Sequence, residues 1–414
     1  MISVQNHLRL LNGNSWGSLF IAAALIFASC SPKVRPITGK SPAVAPPVNE
    51  KLPEKLVEKK FSEATISLLI PFKLNQLNLE TASKSEVERA SMAIDFYQGF
   101  KLGIDSAAAK GLNFKIDVVD TRDNNSQLDG LIKNGRLLNS DLVVGPVFPD
   151  GIKHLSAYSK AHNLLVVSPL AASHPADFGN PNLVSIANNI DLHVGKMGDY
   201  ITKTYNPANT IVILINPKTP SDEIVAAPVR SYFKNANKQF TFQEYASVFT
   251  METKIIKGKQ YVLVVTSADP EFVMPTLSKL AKMKTVSGTN IHVFGHPDWI
   301  KQSYSTENLQ LLNTIITASY KINYNNRNVL SFIRSYRSAF QFEPGEYSFK
   351  GFDIGYYFGM LFSKYGADYR SHITKERYKG LHNSFSFKYD EENGYINQDL
   401  QLLRYKNFEL AVIE

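Results

Sequence analysis

From residue 64 onward the apolar residues fall into short runs: Ala64 to Ile70, Phe114 to Val119, Asp141 to Val144, Leu164 to Val167, Thr210 to Ile215, Tyr261 to Val265 and Ile291 to Phe294. The runs are bulky at successive positions, as strands covered by helices on both faces must be. Each stops at a breaker or a small polar residue: Pro71, Asp120, Gly145-Pro146, Ser168-Pro169, Asn216-Pro217, Thr266-Ser267 and Gly295. Between them lie stretches of helical period, clearest over Val87 to Ala109, where Ala90, Ala93, Ile94, Tyr97, Phe100 and Ile104 recur. This alternation predicts an α/β fold of doubly wound parallel-sheet lobes with crossover helices. In an open parallel sheet the ligand crevice lies outside the carboxyl ends of the strands. The residues that follow each run are therefore the first candidates for a site.

The pattern divides the chain. Residues 61–187 form a first α/β set, lobe one, and residues 188–320 a second, lobe two, opened by a helix over Asp191 to Thr204 after Asn188-Asn189. Residues 321–383, with helices over Val329 to Phe340 and Tyr347 to Tyr365, are expected to return to lobe one. A β-rich tail, residues 384–414, with a turn at Glu392-Asn393-Gly394, is expected to complete lobe two. No repeat of about 20–50 residues is evident, which disfavours solenoids and propellers.

The first 60 residues follow other rules. An apolar run from Leu19 to Ala28, preceded by Arg9, is far shorter than the roughly 17–25 residues of a membrane-crossing helix, so residues 1–29 read as a signal peptide. The run closes on Phe27-Ala28-Ser29-Cys30, which resembles a bacterial lipobox, with Phe27 where Leu is more usual. The resemblance implies that Cys30, the only cysteine, carries a diacylglyceryl group. Residues 30–60 then form a flexible stalk, rich in Pro, Lys and Glu, whose composition cannot bury enough apolar surface to fold. Fully stretched it reaches roughly 100 Å. The expected location is the periplasm, tethered to a membrane. Ser31 after Cys30 lacks the Asp linked in some bacteria to inner-membrane retention, which favours the outer membrane.

Composition narrows the function. A 414-residue chain with 44% hydrophobic and 20% charged residues buries a large core and has no intramolecular disulfide. The net charge of +8 lies mostly in the leader and stalk, leaving about +3 for the folded part, too little to argue for nucleic acid. A G-x-S-x-G elbow, an H-E-x-x-H pair, a Walker loop and a G-x-G-x-x-G fingerprint are all missing, so the chain reads as no enzyme and as needing no cofactor. Ser231 and Lys234 match S-x-x-K, a pattern too short to carry weight. His292 and His296 flank a strand end, where a four-residue spacing does not bring side chains onto one face, so no metal site is expected.

The ordered set Asp95-Phe96-Tyr97-Gln98-Gly99-Phe100-Lys101-Leu102-Gly103-Ile104-Asp105, Lys115 to Thr121, Asp141-Leu142-Val143-Val144-Gly145-Pro146 and Val166-Val167-Ser168-Pro169 resembles the type I periplasmic-binding-protein family. The branched-chain amino-acid-binding proteins are its best-known members. Asp191 and Gly195 in the helix opening lobe two, and Gly351-Phe352-Asp353, keep the same order. The resemblance implies two lobes joined by three crossings, with ligand held between them and hinge closure on binding. It places ligand-binding candidates at Phe72, Phe148, Asp150, Leu170, Ala172, Ser173, Asn189, Ser267, Asp298 and Trp299. The stretch Val147-Phe148-Pro149-Asp150 lacks the hydroxyl that amino-acid binders use for the ligand carboxylate, and Asp150 would repel one. Ser173 is the available hydroxyl of the second loop. Asp298 either pairs with a ligand ammonium or caps the helix that follows it, and Trp299 would pack on an apolar part of the ligand.

Two functions fit this reading. One is a lipid-anchored solute-binding protein that closes on a small ligand, an amino acid or related solute, for an ABC-type permease. The other keeps the fold but not the pocket, and acts as a tethered regulator of an envelope or peptidoglycan-synthesis enzyme; the missing hydroxyl favours it.

Overall fold

The computed structural model describes residues 61–413, apart from 77, 79 and 237; the leader, Cys30 and the stalk lie outside the described residues. In chain order the strands are β1 Glu63–Ile70, β2 Asn113–Asp120, β3 Leu142–Val144, β4 Val166–Ser168, β5 Leu183–Ser185, β6 Thr210–Ile215, β7 Thr241–Tyr245 and β8 Gln260–Val265. They continue with β9 Asn290–Phe294, β10 Ile315–Ala318, β11 Tyr378–Lys379, β12 Ser384–Phe385, β13 Phe387–Asp390, β14 Gly394–Asn397, β15 Gln401–Lys406 and β16 Glu409–Val412. They build two seven-stranded sheets, ordered β13-β14-β5-β4-β3-β1-β2 and β16-β15-β10-β9-β8-β6-β7, plus the β11-β12 ribbon.

Both sheets are parallel except at one edge. In each, the first strand lies between the second and the third, so the strand order reverses there and opens a crevice at the carboxyl ends. Helices cover both faces. In lobe one, Ile66, Leu68, Leu142 and Val167 point to one core with Phe96, Phe100 and Phe358. Leu69, Val143 and Val166 point to another core with Ile152 and Leu155. Lobe two repeats the arrangement, with Ile213 and Leu263 on one side of the sheet and Val212 and Val262 on the other. The continuous apolar runs read from the sequence are the direct trace of this two-sided burial.

The helices Lys84–Ala108 and Glu346–Tyr365 pack together on lobe one. Their backbones approach so closely that a Cβ on Gly99 would lie 1.9 Å from the Ser348 carbonyl oxygen, and one on Gly351 would lie 2.1 Å from that of Phe96. The late helix is thus welded to the first lobe, and the chain crosses between lobes three times, after β5, after β10 and after β14.

The tail departs from expectation. Residues 384–414 do not all complete lobe two: β13 and β14 join the first sheet, with Tyr395 and Ile396 pairing parallel to Val184 and Ser185. Only β15, antiparallel to β10, and β16, antiparallel to β15, extend the second sheet. The receiving strand, β5, has only two consecutive apolar residues, Leu183 and Val184, before Ser185, too short a run to stand out. The expected turn is present, and its Gly394 has φ +80°, with a Cβ position only 2.2 Å from the Leu183 carbonyl. Only glycine lets this hairpin close against β5.

Candidate functional site

The carboxyl ends of β4, β9 and β10 meet across a gap of about 170 Å³. Lobe one contributes Pro169, Leu170 and Ala172 after β4, Ile186 after β5, and Lys350 from the helix Glu346–Tyr365. Lobe two contributes His193, Pro297, Asp298, Ile300, Lys301, Ala318 and Ser319. The crossings supply Ala187, Asn188 and Tyr320, and Asn383 closes the floor. The volume lies below the roughly 300–1,000 Å³ of pockets for drug-sized ligands, so the space suits a small solute.

The floor is stitched by asparagines. In the first crossing Asn188 donates from Nδ2 to the Asn397 carbonyl at 2.8 Å. Asn397 donates in turn to the Ile186 carbonyl at 3.1 Å, tying the first crossing to the third. At the second crossing Tyr320 forms a β-bridge with Asn383, whose Nδ2 donates to the Ser319 carbonyl at 3.2 Å. The loop that carries Asn383 is held by the fully buried Asp353. Its carboxylate accepts backbone N–H groups from Leu381, His382 and Asn383, each at 2.8 Å, and the Tyr378 hydroxyl at 3.0 Å. Burial pushes this carboxyl up to about 6 while the four donors pull it down.

Charge in the gap is arranged in pairs. The Lys350 ammonium sits 2.6 Å from Glu346 and over the rings of Tyr320 and Tyr347, 5.3 and 5.2 Å from their centroids. Burial lowers the Lys350 pKa and Glu346 opposes this. His382 and then Lys350 hold Glu346 down at about 2 against its burial. On the facing wall Lys301 lies 3.4 Å from Asp298. His193 is buried, with Nδ1 2.8 Å from the Thr317 hydroxyl and Nε2 3.2 Å from that of Ser319. Desolvation drives its pKa down to about 4, with His296 adding to the effect and Asp298 opposing it, so the ring is neutral at pH 7.

Of the residues expected from sequence, Leu170, Ala172 and Asp298 are brought together here. The rest are placed elsewhere. Phe148 and Asp150 line a separate recess of about 310 Å³ on lobe one with Thr121, Asn124 and Pro146. Trp299 is fully buried, with Nε1 donating to the Ser267 carbonyl at 2.8 Å and its ring edge-on to Tyr304, so it packs beneath the gap and cannot cover a ligand there. Ser267 is buried as well, its hydroxyl accepting the Asp269 N–H at 3.2 Å. Phe72 packs in the lobe-one core, edge-on to Tyr97. Asn189 caps the helix Ile190–Thr204 through the Leu192 N–H. Ser173 is half-buried but does not line the gap. The turn after β9 is capped by His296 through the Asp298 N–H, so the Asp298 carboxylate is not the cap and pairs with Lys301 at the gap instead.

Sequence reasoning passed over Lys350, Tyr320, Asn188, Asn383, Lys301 and His193. Two signals were present. Lys350 is a charged residue in an aromatic-rich helical segment, and Asn188 begins the Asn pair that marks the lobe boundary. A larger recess, about 1150 Å³, lies around the crossings, lined by residues such as Asn323, Arg377 and Asp399 and by the edge strand β16. It lacks the ends of the parallel strands, so the smaller gap is the candidate site.

No family model and no curated protein matches this chain. Solved structures do. A protein described as a branched-chain amino acid ABC transporter from Rhodospirillum rubrum superposes with a TM-score of 0.62 at 14% identity, covering 85% of this chain and 100% of that one. A branched-chain amino acid ABC transporter periplasmic ligand-binding protein from Burkholderia xenovorans gives 0.57 at 11% identity, covering 85% and 94%. An ABC transporter substrate-binding protein from Desulfitobacterium hafniense, solved with Leu, gives 0.52 at 12%, covering 85% and 100%. At such identities the likeness concerns the fold. The two-lobed α/β architecture is what is shared: the chain has the type I periplasmic-binding-protein fold.

Proposed function

We propose that the protein is a solute-binding protein that closes its two lobes on a small ligand and delivers it to an ABC-type permease. The observation that carries this reading is the gap at the strand ends, lined from both lobes, with Lys350 on one wall and His193, Asp298, Lys301 and Ser319 on the other. Contacts made to both walls exist only when the lobes are together, so a ligand favours the closed form by its differential affinity. Substrate-binding proteins for ABC transporters share the fold, which supports the same role here. The reading includes a lipid anchor at Cys30, a stalk over residues 30–60 and a periplasmic location. Among the described residues no helix is long and apolar enough to cross a membrane.

The test is a thermal-shift and calorimetry screen of the full chain against amino acids, organic acids, peptides, nucleosides and sugars. A true ligand at 100 times its Kd adds about 2.7 kcal/mol of stability. Silence across the panel would remove the proposal. Mass spectrometry of the mature chain should find Cys30 at its N-terminus carrying a diacylglyceryl group; an unmodified cysteine would remove the anchor alone.

A further inference from the structure

We propose that the ligand is a small organic monoanion with a neutral hydrogen-bond donor, its carboxylate held by Lys350 and its donor by Asn188. The proposal rests on the solute-binding reading above. It starts from two groups with unused capacity. The Lys350 side chain is 18% exposed, has Glu346 as its anionic partner, and carries three N–H donors, so it can meet a second acceptor from the gap. Asn188 is 3% exposed, and its Oδ1 has no hydrogen-bond partner, although its Nδ2 is satisfied by Asn397. A buried acceptor left unpaired is costly. Asn188 is one of the residues that line the gap with Lys350.

The charges select the class. Side chains lining the gap carry two cations, Lys301 and Lys350, and one anion, Asp298, while Glu346, outside the lining, balances Lys350; His193 is neutral. Asp298 is already paired with Lys301 and is half-exposed, so an ammonium gains little from it. The acceptor that does want a proton, Asn188 Oδ1, is uncharged. A hydroxyl or amide N–H satisfies it, whereas a free ammonium would lose hydration with only the half-exposed, already paired Asp298 to offset the loss. A hydroxy acid or an N-acylated amino acid therefore fits better than the free amino acid.

The test measures the Kd of the full chain for matched sets on one side chain: 2-hydroxyisocaproate, N-acetyl-leucine, leucine and leucinamide, with equivalent sets for phenyl and methyl side chains. The expected order places the hydroxy or N-acyl acid first, with the free amino acid at least tenfold weaker and the amide without binding. K350M should lose on the order of 100-fold and K350R should recover part of it, both with unfolding midpoints near the parent. N188A should erase the advantage of the donor-bearing acid over the acid with hydrogen in its place. Free amino acids or neutral solutes binding as tightly as the donor-bearing acids would overturn this proposal while leaving the solute-binding reading intact. So would a K350M protein within threefold of the parent. No binding by any set, nor by the wider panel above, would overturn both.

Discussion

Removing the Asp353 carboxylate should damage both the fold and the site. The side chain is fully buried and accepts four hydrogen bonds, from the Leu381, His382 and Asn383 amides and the Tyr378 hydroxyl. In D353A those donors lose their acceptor, at about 1–3 kcal/mol for each one left buried. Water entering the vacated space will recover part of this, so the expected loss is about 4 kcal/mol or more. D353N keeps the volume but turns an NH₂ group toward backbone N–H donors, for a loss of about 2 kcal/mol. With a urea m-value of roughly 3 kcal/mol/M or more, the D353A midpoint should fall by about 1 M. Urea unfolding followed by tryptophan fluorescence reads this directly, because Trp299 is buried in lobe two. Calorimetry on the still-folded D353N supplies the second readout. The pinned loop carries Asn383 into the gap, so ligand affinity should drop although Asp353 does not line it. A D353A midpoint within about 0.3 M of the parent would refute the reasoning, since it would mean that the four donors find equal partners without the carboxylate.

Other perturbations separate scaffold from site. G351A places a methyl 2.1 Å from the Phe96 carbonyl and should destabilise by about 3 kcal/mol or prevent folding, whereas G195A, whose Cβ meets nothing within 4 Å, should be stabilising or neutral in the same assay. Acid should weaken the fold through His193. Its folded pKa of about 4 lies below the unfolded 6.5, so the unfolded chain takes up the proton first. Stability from this group is complete above pH 6.5 and lost toward pH 4, by roughly 3 kcal/mol. The urea midpoint of H193Q should fall less than that of the parent over this interval, and parallel profiles would contradict the assignment. W299F should cost about 1–3 kcal/mol through the lost bond to the Ser267 carbonyl, yet leave Kd unchanged in calorimetry, since the ring lies under the gap.

What could be read from the sequence follows how strongly burial marks each element. β1, β6 and β8 are covered on both faces over most of their length, and their apolar runs gave strands within a residue or two. β7, with the pattern Thr-Phe-Gln-Glu-Tyr, has no fully buried residue and so leaves no apolar run to read. β5 and β10 are buried, but each has only two consecutive apolar residues before Ser185 or Thr317, whereas β3 and β4 lie in unbroken runs of three and four, and a run of two does not differ from a turn of buried helix. With β5 unmarked in the apolar pattern, the tail reads as belonging to one lobe. Without it there is no edge for β14 to join.

The site was less legible than the fold for a related reason. Strand ends are visible in the sequence because Pro and Gly follow them, so Leu170, Ala172 and Asp298 could be named. What their loops face depends on the lobe-to-lobe arrangement, which is set by contacts far apart in the chain. Lys350 enters the gap from a helix that is otherwise core, 180 residues after Leu170, because Gly99 and Gly351 let that helix lie directly on its partner. Asn188 becomes an unpaired acceptor only because Asn397, more than 200 residues later, takes its other end. The sequence carries the hydrophobic pattern that builds two clamps. The chemistry between them arises from single polar residues whose partners no local window contains, which is why a cation in an aromatic helix and an asparagine at a crossing, neither conspicuous in the sequence, are the residues on which the proposed ligand choice turns.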